Sequence, residues 1–194
     1  MPASSSWRAA LILALGLCAA GRPVEAQPAV TDLDGRPLEL LRDHGGAGAT
    51  VLIFTAVDCP ISDRYAPAVR RLADAYAAQG VRFWLVYPNA GERPEAARAH
   101  ASSFLYGLPV ALDGRAVLAD RAAATVTPEA AVFDRHGRLQ YHGRIDDRWV
   151  DFGVDRAVPT TNDLADALAA VVAGRPVARA SAPAIGCAIV RPQP

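Results

Sequence analysis

Apolar positions along this chain fall into two patterns, unbroken short runs and longer stretches with helical spacing. Val51-Leu52-Ile53-Phe54-Thr55-Ala56-Val57 is almost wholly apolar, so residues 50–57 are expected to form a central strand buried on both faces. Directly after it, Ile61, Tyr65, Val69, Leu72, Ala73 and Tyr76 recur at helical spacing. A helix over 59–78 is expected, with Pro60 in its first turn, a kink at Pro67 and a stop at Gly80. Residues 81–87 predict a second buried strand closed by Pro88, and Pro94 opens a helix running to about Tyr106. Residues 107–112 predict a short extended piece, and 114–123 a helical turn or two.

In the second half, 130–134 and 138–143 flank His136-Gly137 and predict a hairpin. Residues 146–159 read as a charged loop with Trp149 and Phe152 embedded. Asn162 or Thr161 is expected to cap a last helix to Ala173, ended by Gly174. Upstream, 29–41 reads as a short hairpin about Asp34-Gly35, joined to the first long strand by the flexible connector Gly45-Gly46-Ala47-Gly48. No internal repeat is visible. The order β-α-β-α-β-β-α implies parallel pairing through crossover helices and an antiparallel addition from the late hairpin. The expected class is therefore α/β, a three-layer sandwich with a mixed central sheet and an N-terminal hairpin extension. Trp84, Tyr87 and Phe104 read as core.

A chain of 194 residues suits one domain plus appendages. Formal net charge is zero, so neither a nucleic-acid nor a membrane-surface partner is indicated. All 20 cationic residues are Arg. At the N-terminus Arg8 precedes the small and apolar run 9–20, and Val24-Glu25-Ala26 offers small residues at a cleavage point before Gln27. The expected division is a signal peptide over 1–26, a domain over 27–174, and a Pro- and Ala-rich tail over 175–194. Export to the periplasm follows, with secretion or a retained signal anchor as alternatives and no stable membrane insertion once the signal is cleaved. Cys18 follows Leu17 where a lipoprotein needs a small residue, so it falls in the discarded peptide. Cys59 and Cys187 remain, in a compartment where two thiols can pair.

Cys59 carries the clearest chemistry. A buried strand delivers it to the first turn of a helix, where backbone N–H groups and the helix dipole favour a thiolate. Asp58 opposes ionisation and Arg64, about one turn on, offsets it. The competing reading is a buried structural cysteine. Cys59-Pro60-Ile61-Ser62 has the spacing of a Cys-x-x-Cys redox centre, but Ser62 stands at its second position. Ser62 can donate a hydrogen bond to a Cys59 thiolate or simply be a solvated helix serine; it cannot resolve a mixed disulfide.

The strand and Cys59-Pro60-Ile61-Ser62 turn, Val126-Thr127-Pro128-Glu129 ahead of a hairpin, and the closing hairpin and helix together resemble the thioredoxin-like superfamily over residues 29–173. The resemblance is to its redoxin group, which includes alkyl hydroperoxide reductase and thiol-specific antioxidant relatives and exported thioredoxin-like reductases. It implies a thioredoxin-like fold with a cis peptide bond at Pro128. It also implies a Thr127 backbone that pairs with an extended substrate chain beside Cys59, with Pro60 adjoining. Two departures matter: Ser62 replaces the second redox cysteine, and Ala56 stands where the peroxiredoxin pattern has Thr, with Thr55 one place early.

Cys187 lies in Ala184-Ile185-Gly186-Cys187-Ala188-Ile189, an apolar island expected to dock on the domain. It reads as a reversible partner for Cys59, as half of a permanent disulfide, or as a free or intermolecular thiol. A static bridge closing so long a loop adds ~4–5 kcal/mol in the chain-entropy model. The run Gly143-Arg144-Ile145-Asp146-Asp147-Arg148-Trp149 either lines a substrate groove, Arg144 or Arg148 holding an anion, or is a loop tied by Arg–Asp pairs. Two cysteines and a histidine suit Cu(I), but the Cys-x-x-x-Cys spacing of the copper chaperones sharing this fold is absent. His142 lies on the closing hairpin; His44, His100 and His136 read as surface positions. No metal site and no cofactor is assigned. The expected function is an exported thiol oxidoreductase acting on protein or small-molecule disulfides, with Cys59 as nucleophile. Ser62 and Pro128 would shape its site, Thr127, Pro60 and Arg144 would contact substrate, and Cys187 or an external reductant would resolve the mixed disulfide. The alternatives are an atypical thiol peroxidase and a metallochaperone or non-catalytic module.

Overall fold

The computed structural model describes residues 29–42, 48–104 and 106–193. The expected signal peptide, Cys18, His44 and most of the glycine connector lie outside them. The elements run β1 (Ala49–Phe54), α1 (Pro60–Ala77), β2 (Val81–Tyr87), α2 (Pro94–Ser103), β3 (Val110–Leu112) and α3 (Val117–Ala122). The second half comprises β4 (Val126–Thr127), β5 (Glu129–Asp134), β6 (Leu139–Gly143), β7 (Trp149–Asp151) and β8 (Val154–Asp155). It closes with α4 (Asp163–Val172), β9 (Ser181–Ala182) and β10 (Cys187–Ala188).

Six strands form the central sheet in the order β3-β2-β1-β5-β6-β9. β1 pairs in parallel with β2, and β2 with β3; β5 lies antiparallel to β1 and to β6. This is the mixed sheet expected from the element order. Successive side chains of a strand point to opposite faces, and β1 splits its apolar residues accordingly. Val51 and Ile53 join one buried cluster with Tyr65 and Val69 of α1, Ala97 of α2, and Leu164 and Leu168 of α4. Leu52 and Phe54 join a second with Leu118, Ala119 and Ala122 of α3 and the segment Leu40–Leu41. Both faces are thus covered, which explains why β1 is apolar throughout.

Several segments depart from the sequence reading. The first long strand stops at Phe54 rather than Val57, because residues 55–58 turn out of the sheet toward α1, with the Cys59 N–H donating to the Ala56 carbonyl. The upstream hairpin is reduced to a Thr31–Pro37 bridge, and Thr31 also bridges Leu112 at the sheet edge. The charged loop over 146–159 contains a two-stranded ribbon, β7–β8. α4 starts after Asn162, but no side chain caps it; Thr161 Oγ1 instead donates to Asp163 Oδ2. Phe104, read as core, is 39% exposed, since α2 ends at Ser103 and leaves it on the outer side.

Residues 175–193 are built into the fold. β9 adds in parallel to β6 at the sheet edge, with His142 N–H donating to the Ala180 carbonyl and Arg144 N–H to the Ala182 carbonyl. Gly143 makes this approach possible. Its φ is +140°, and a Cβ there would fall 2.0 Å from the Ala182 carbonyl oxygen. Gly143→Ala should therefore lose more than about 1 kcal/mol of stability. A lower urea midpoint checks this; an unchanged midpoint would show that β9 is not held by this approach.

Asp113 is buried below α3 and accepts from the N–H groups of Val117, Leu118 and Ala119 at 2.8, 2.9 and 3.0 Å. Burial outweighs these donors and pushes its carboxyl from 3.8 up to about 6. The folded chain then holds this proton more tightly than the unfolded chain. The linked stability is complete below 3.8 and is lost as pH rises through about 6. Urea titrations across this range should show wild type losing stability relative to Asp113→Asn as pH rises; parallel curves would contradict the assignment.

Candidate functional site

Cys59 is the N-cap residue of α1, extended at φ −102° and ψ 98°, with Pro60 in the first turn. Proline fits there because its missing N–H would lack a helical partner anyway. The side chain of Cys59 is 0% exposed. Its thiol donates to the Thr127 carbonyl at 2.9 Å. Thr127 is the last residue of β4, and the Thr127–Pro128 bond is cis, as the resemblance implied. Glu129 braces this short strand from below, its Oε2 accepting from the Thr125 and Val126 N–H groups at 3.0 and 3.4 Å.

β10 pairs antiparallel with β4, setting Cys187 opposite Thr127 and Ala188 opposite Val126. Thr127 Oγ1 donates to the Cys187 carbonyl at 3.5 Å, and Ile189 N–H to the Thr125 carbonyl at 3.0 Å. This register places the Cys187 thiol beside Cys59, near enough that each shifts the ionisation of the other. Both cysteines are free thiols here. Cys59, Ser62, Thr127, Pro128 and Cys187 therefore meet in one place, and Pro60 is exposed beside them.

The two thiols have opposite electrostatics. Burial pushes the Cys59 thiol up, but the Cys187 thiol and the Ser62 and Thr127 hydroxyls, all placed to donate to a charged sulfur, outweigh it and hold it below the ordinary 9.0. The Thr127 carbonyl accepts only from the protonated thiol and works against this group. Burial also pushes Cys187 up, and the neighbouring Cys59 charge adds to it, with Asp58 and Asp63 behind, so it reaches about 12. Ionisation at Cys59 is thus obtained partly at the expense of Cys187. The Ser62 hydroxyl is fully buried and makes no conventional hydrogen bond among the described residues, as is true of Thr55 Oγ1. Nearby, Tyr106 OH donates to the Ser62 carbonyl at 2.8 Å.

Two arginines are committed elsewhere. Arg64, expected to offset Asp58, lies 5.6 Å over the Trp149 ring and 3.7 Å from Asp155 of the β7–β8 ribbon. Arg144, expected to contact substrate, donates through Nε to Asp163 Oδ2 at 2.8 Å and through Nη2 to Thr161 Oγ1 at 3.3 Å. It ties the loop after β6 to the start of α4, as the Arg–Asp reading of that run anticipates. Nor is His100 a surface residue. It is buried, with Nδ1 at 2.7 Å from Tyr87 OH and Nε2 at 2.8 Å from Asp63 Oδ1. His142 lies 3.3 Å from Glu129 Oε1.

Sequence reasoning missed Gly186, Ile189 and Glu129. Gly186 lay in plain view beside the cysteine, but nothing local marks it as sterically required.

The arrangement of a thiol at a helix N-terminus beside a cis-proline strand, on a mixed sheet with helices on both faces, is a thioredoxin-like fold. Among solved structures the chain is similar to an uncharacterized conserved protein from Geobacillus kaustophilus, at 29% identity and a TM-score of 0.70 over 86% of this chain and 89% of that one. A hypothetical protein from Sinorhizobium meliloti is 27% identical, with a TM-score of 0.66 over 89% of this chain and 98% of that one. MTB dsbF, solved in mixed oxidized and reduced forms, shares the fold at 20% identity and a TM-score of 0.52 over 75% and 95% of the two chains. No family model and no curated protein matches the sequence.

Because the Cys187 thiol favours the ionised form of Cys59, Cys187→Ala should move the Cys59 titration upward, toward 9.0. Ultraviolet thiolate absorbance against pH measures this directly. A Cys59 midpoint unchanged by the substitution would mean that the contact between the sulfurs contributes nothing to ionisation.

Proposed function

We propose that the chain is an exported thiol–disulfide oxidoreductase in which Cys59 is the nucleophile and Cys187 resolves the intermediate. The observation that carries this reading is the Cys187–Thr127 register, which sets one thiol on another of much lower pKa. Export is supported by the signal-like pattern of residues 1–26, and no helix among the described residues is long and apolar enough to cross a membrane.

The reaction starts from the Cys59 thiolate. It attacks one sulfur of a client disulfide, forming a Cys59–client bond and expelling the other client sulfur as a thiolate. Cys59 then carries no charge, so two of the causes that raise Cys187, its hydrogen bond to Cys59 and the Cys59 charge, disappear. The expelled thiolate takes the Cys187 proton. Cys187 attacks the Cys59 sulfur, the second client sulfur leaves, and the chain is left with a Cys59–Cys187 disulfide while the client is reduced by two electrons. An external dithiol returns the chain to its starting state. While β10 is seated, burial and the neighbouring Cys59 charge keep the Cys187 thiol protonated.

With a disulfide-bonded reporter peptide and a dithiol reductant, Cys59→Ser should abolish turnover, and Cys187→Ser should accumulate a mixed disulfide visible by intact mass. Full turnover in Cys59→Ser would end this reading. Wild-type turnover in Cys187→Ser with no accumulated adduct would assign resolution to the external thiol. Cys59-dependent consumption of hydrogen peroxide that outpaces disulfide reduction would assign a peroxidase, with Cys59 passing through a sulfenic acid.

A further inference from the structure

β10 lies against β4 beside Cys59, which is 0% exposed, and an extended client chain pairing with β4 would take its place. A client therefore replaces β10 on the edge of β4 and inherits its constraints. We infer that this edge is a peptide-binding site for an extended protein segment with glycine immediately before its cysteine, a site that the chain's own residues 185–191 fill at rest. The inference deepens the proposed thiol exchange and rests on it.

Three features define the site. The first is steric. A Cβ at position 186 would fall 2.2 Å from the Thr127 carbonyl oxygen, 2.7 Å from its carbon and 3.2 Å from Pro128 N. All three are backbone atoms, held by Cys59, Glu129 and the cis bond, and cannot yield as a flexible side chain would. Gly186 is not among the residues of positive φ, so space, not conformation, demands glycine.

The second is a row of backbone and amide groups that any extended chain can use. Thr125 carbonyl accepts from Ile189 N–H at 3.0 Å, Ala90 N–H donates to the Val190 carbonyl at 2.8 Å, and Asn89 Oδ1 accepts from Val190 N–H at 2.9 Å. Such pairing gives affinity with little regard to side chains, as in strand addition generally. The third is a pair of side-chain subsites. Ile189 is buried in the second core cluster, and Arg191 pairs with Asp120 and donates to the Ala124 carbonyl at 3.1 Å. The matching client segment has glycine before its cysteine, an apolar residue two positions after it and a cation four positions after it.

The test uses the full chain and labelled peptides copying residues 183–191 with serine in place of the cysteine, so that no thiol chemistry contributes. Gly186→Val should expel the chain's own strand and bind the glycine peptide at least about tenfold more tightly than wild type does. A peptide with alanine in place of that glycine should bind at least about tenfold more weakly. Equal affinity for the two peptides, or a folded Gly186→Val that binds neither, overturns the inference. Should Gly186→Val fail to fold, Ile189→Ser releases the same strand without adding bulk, and the same comparison decides. Peptide binding without turnover would refute the thiol exchange alone; turnover without glycine selectivity would refute this inference alone.

Discussion

The antiparallel pairing of two residues, Cys187 and Ala188, with two others, Val126 and Thr127, governs this molecule. It decides which sulfur meets Cys59. A strand pair fixes side chains to alternate faces, so a slip of one residue would send Cys187 away from α1 and place Ala188 or Gly186 over Cys59. So short a ladder holds little free energy of its own. Its register is set from outside, by the clash that awaits any side chain at position 186, by Ile189 seated in the second core cluster and by the Arg191–Asp120 pair.

Electrostatics adds order in time to this order in space. Cys59 and Cys187 share one pool of stabilisation. The leading group that favours a Cys59 thiolate is the Cys187 thiol, and the charge so produced makes its proton harder to remove. The pair thus resembles a coupled titration more than two independent sites. Loss of the charge on Cys59 would uncouple it. Position 62 carries serine, and a second sulfur comes to Cys59 from β10 instead.

Much of the scaffold was legible from residue pattern alone. The second buried strand coincides with 81–87, since a continuous apolar run closed by proline admits few alternatives. Cys59 at the head of a helix followed from strand, Cys-Pro and helical spacing in succession. The cis bond at Pro128 came through family resemblance, because no local signal distinguishes it from other X-Pro bonds. What escaped was long-range. β9 and β10 are two residues each, too short to show periodicity, and their partners are 39 and 60 positions away as the registers His142–Ser181 and Thr127–Cys187 show. His100 read as a surface residue because its helix is polar; its burial depends on Tyr87 and Asp63 from other elements. Arg144 read as a substrate contact because its partner, Asp163, belongs to another element.

The station at β9 has a further effect. Ala182 is fixed to the main sheet beside Gly143, and only Pro183 to Cys187 lie between that anchor and the sulfur. A tether of this length reaches at most roughly 17 Å at about 3.5 Å per residue. A released Cys187 would thus be confined to a small sphere around its anchor, at an effective concentration on the order of millimolar or more. Departure of the strand would be a local excursion, and its return an intramolecular event that dilution cannot slow. A competing segment from another molecule would face that concentration each time it sought the site, which sets a threshold of affinity below which no client is held.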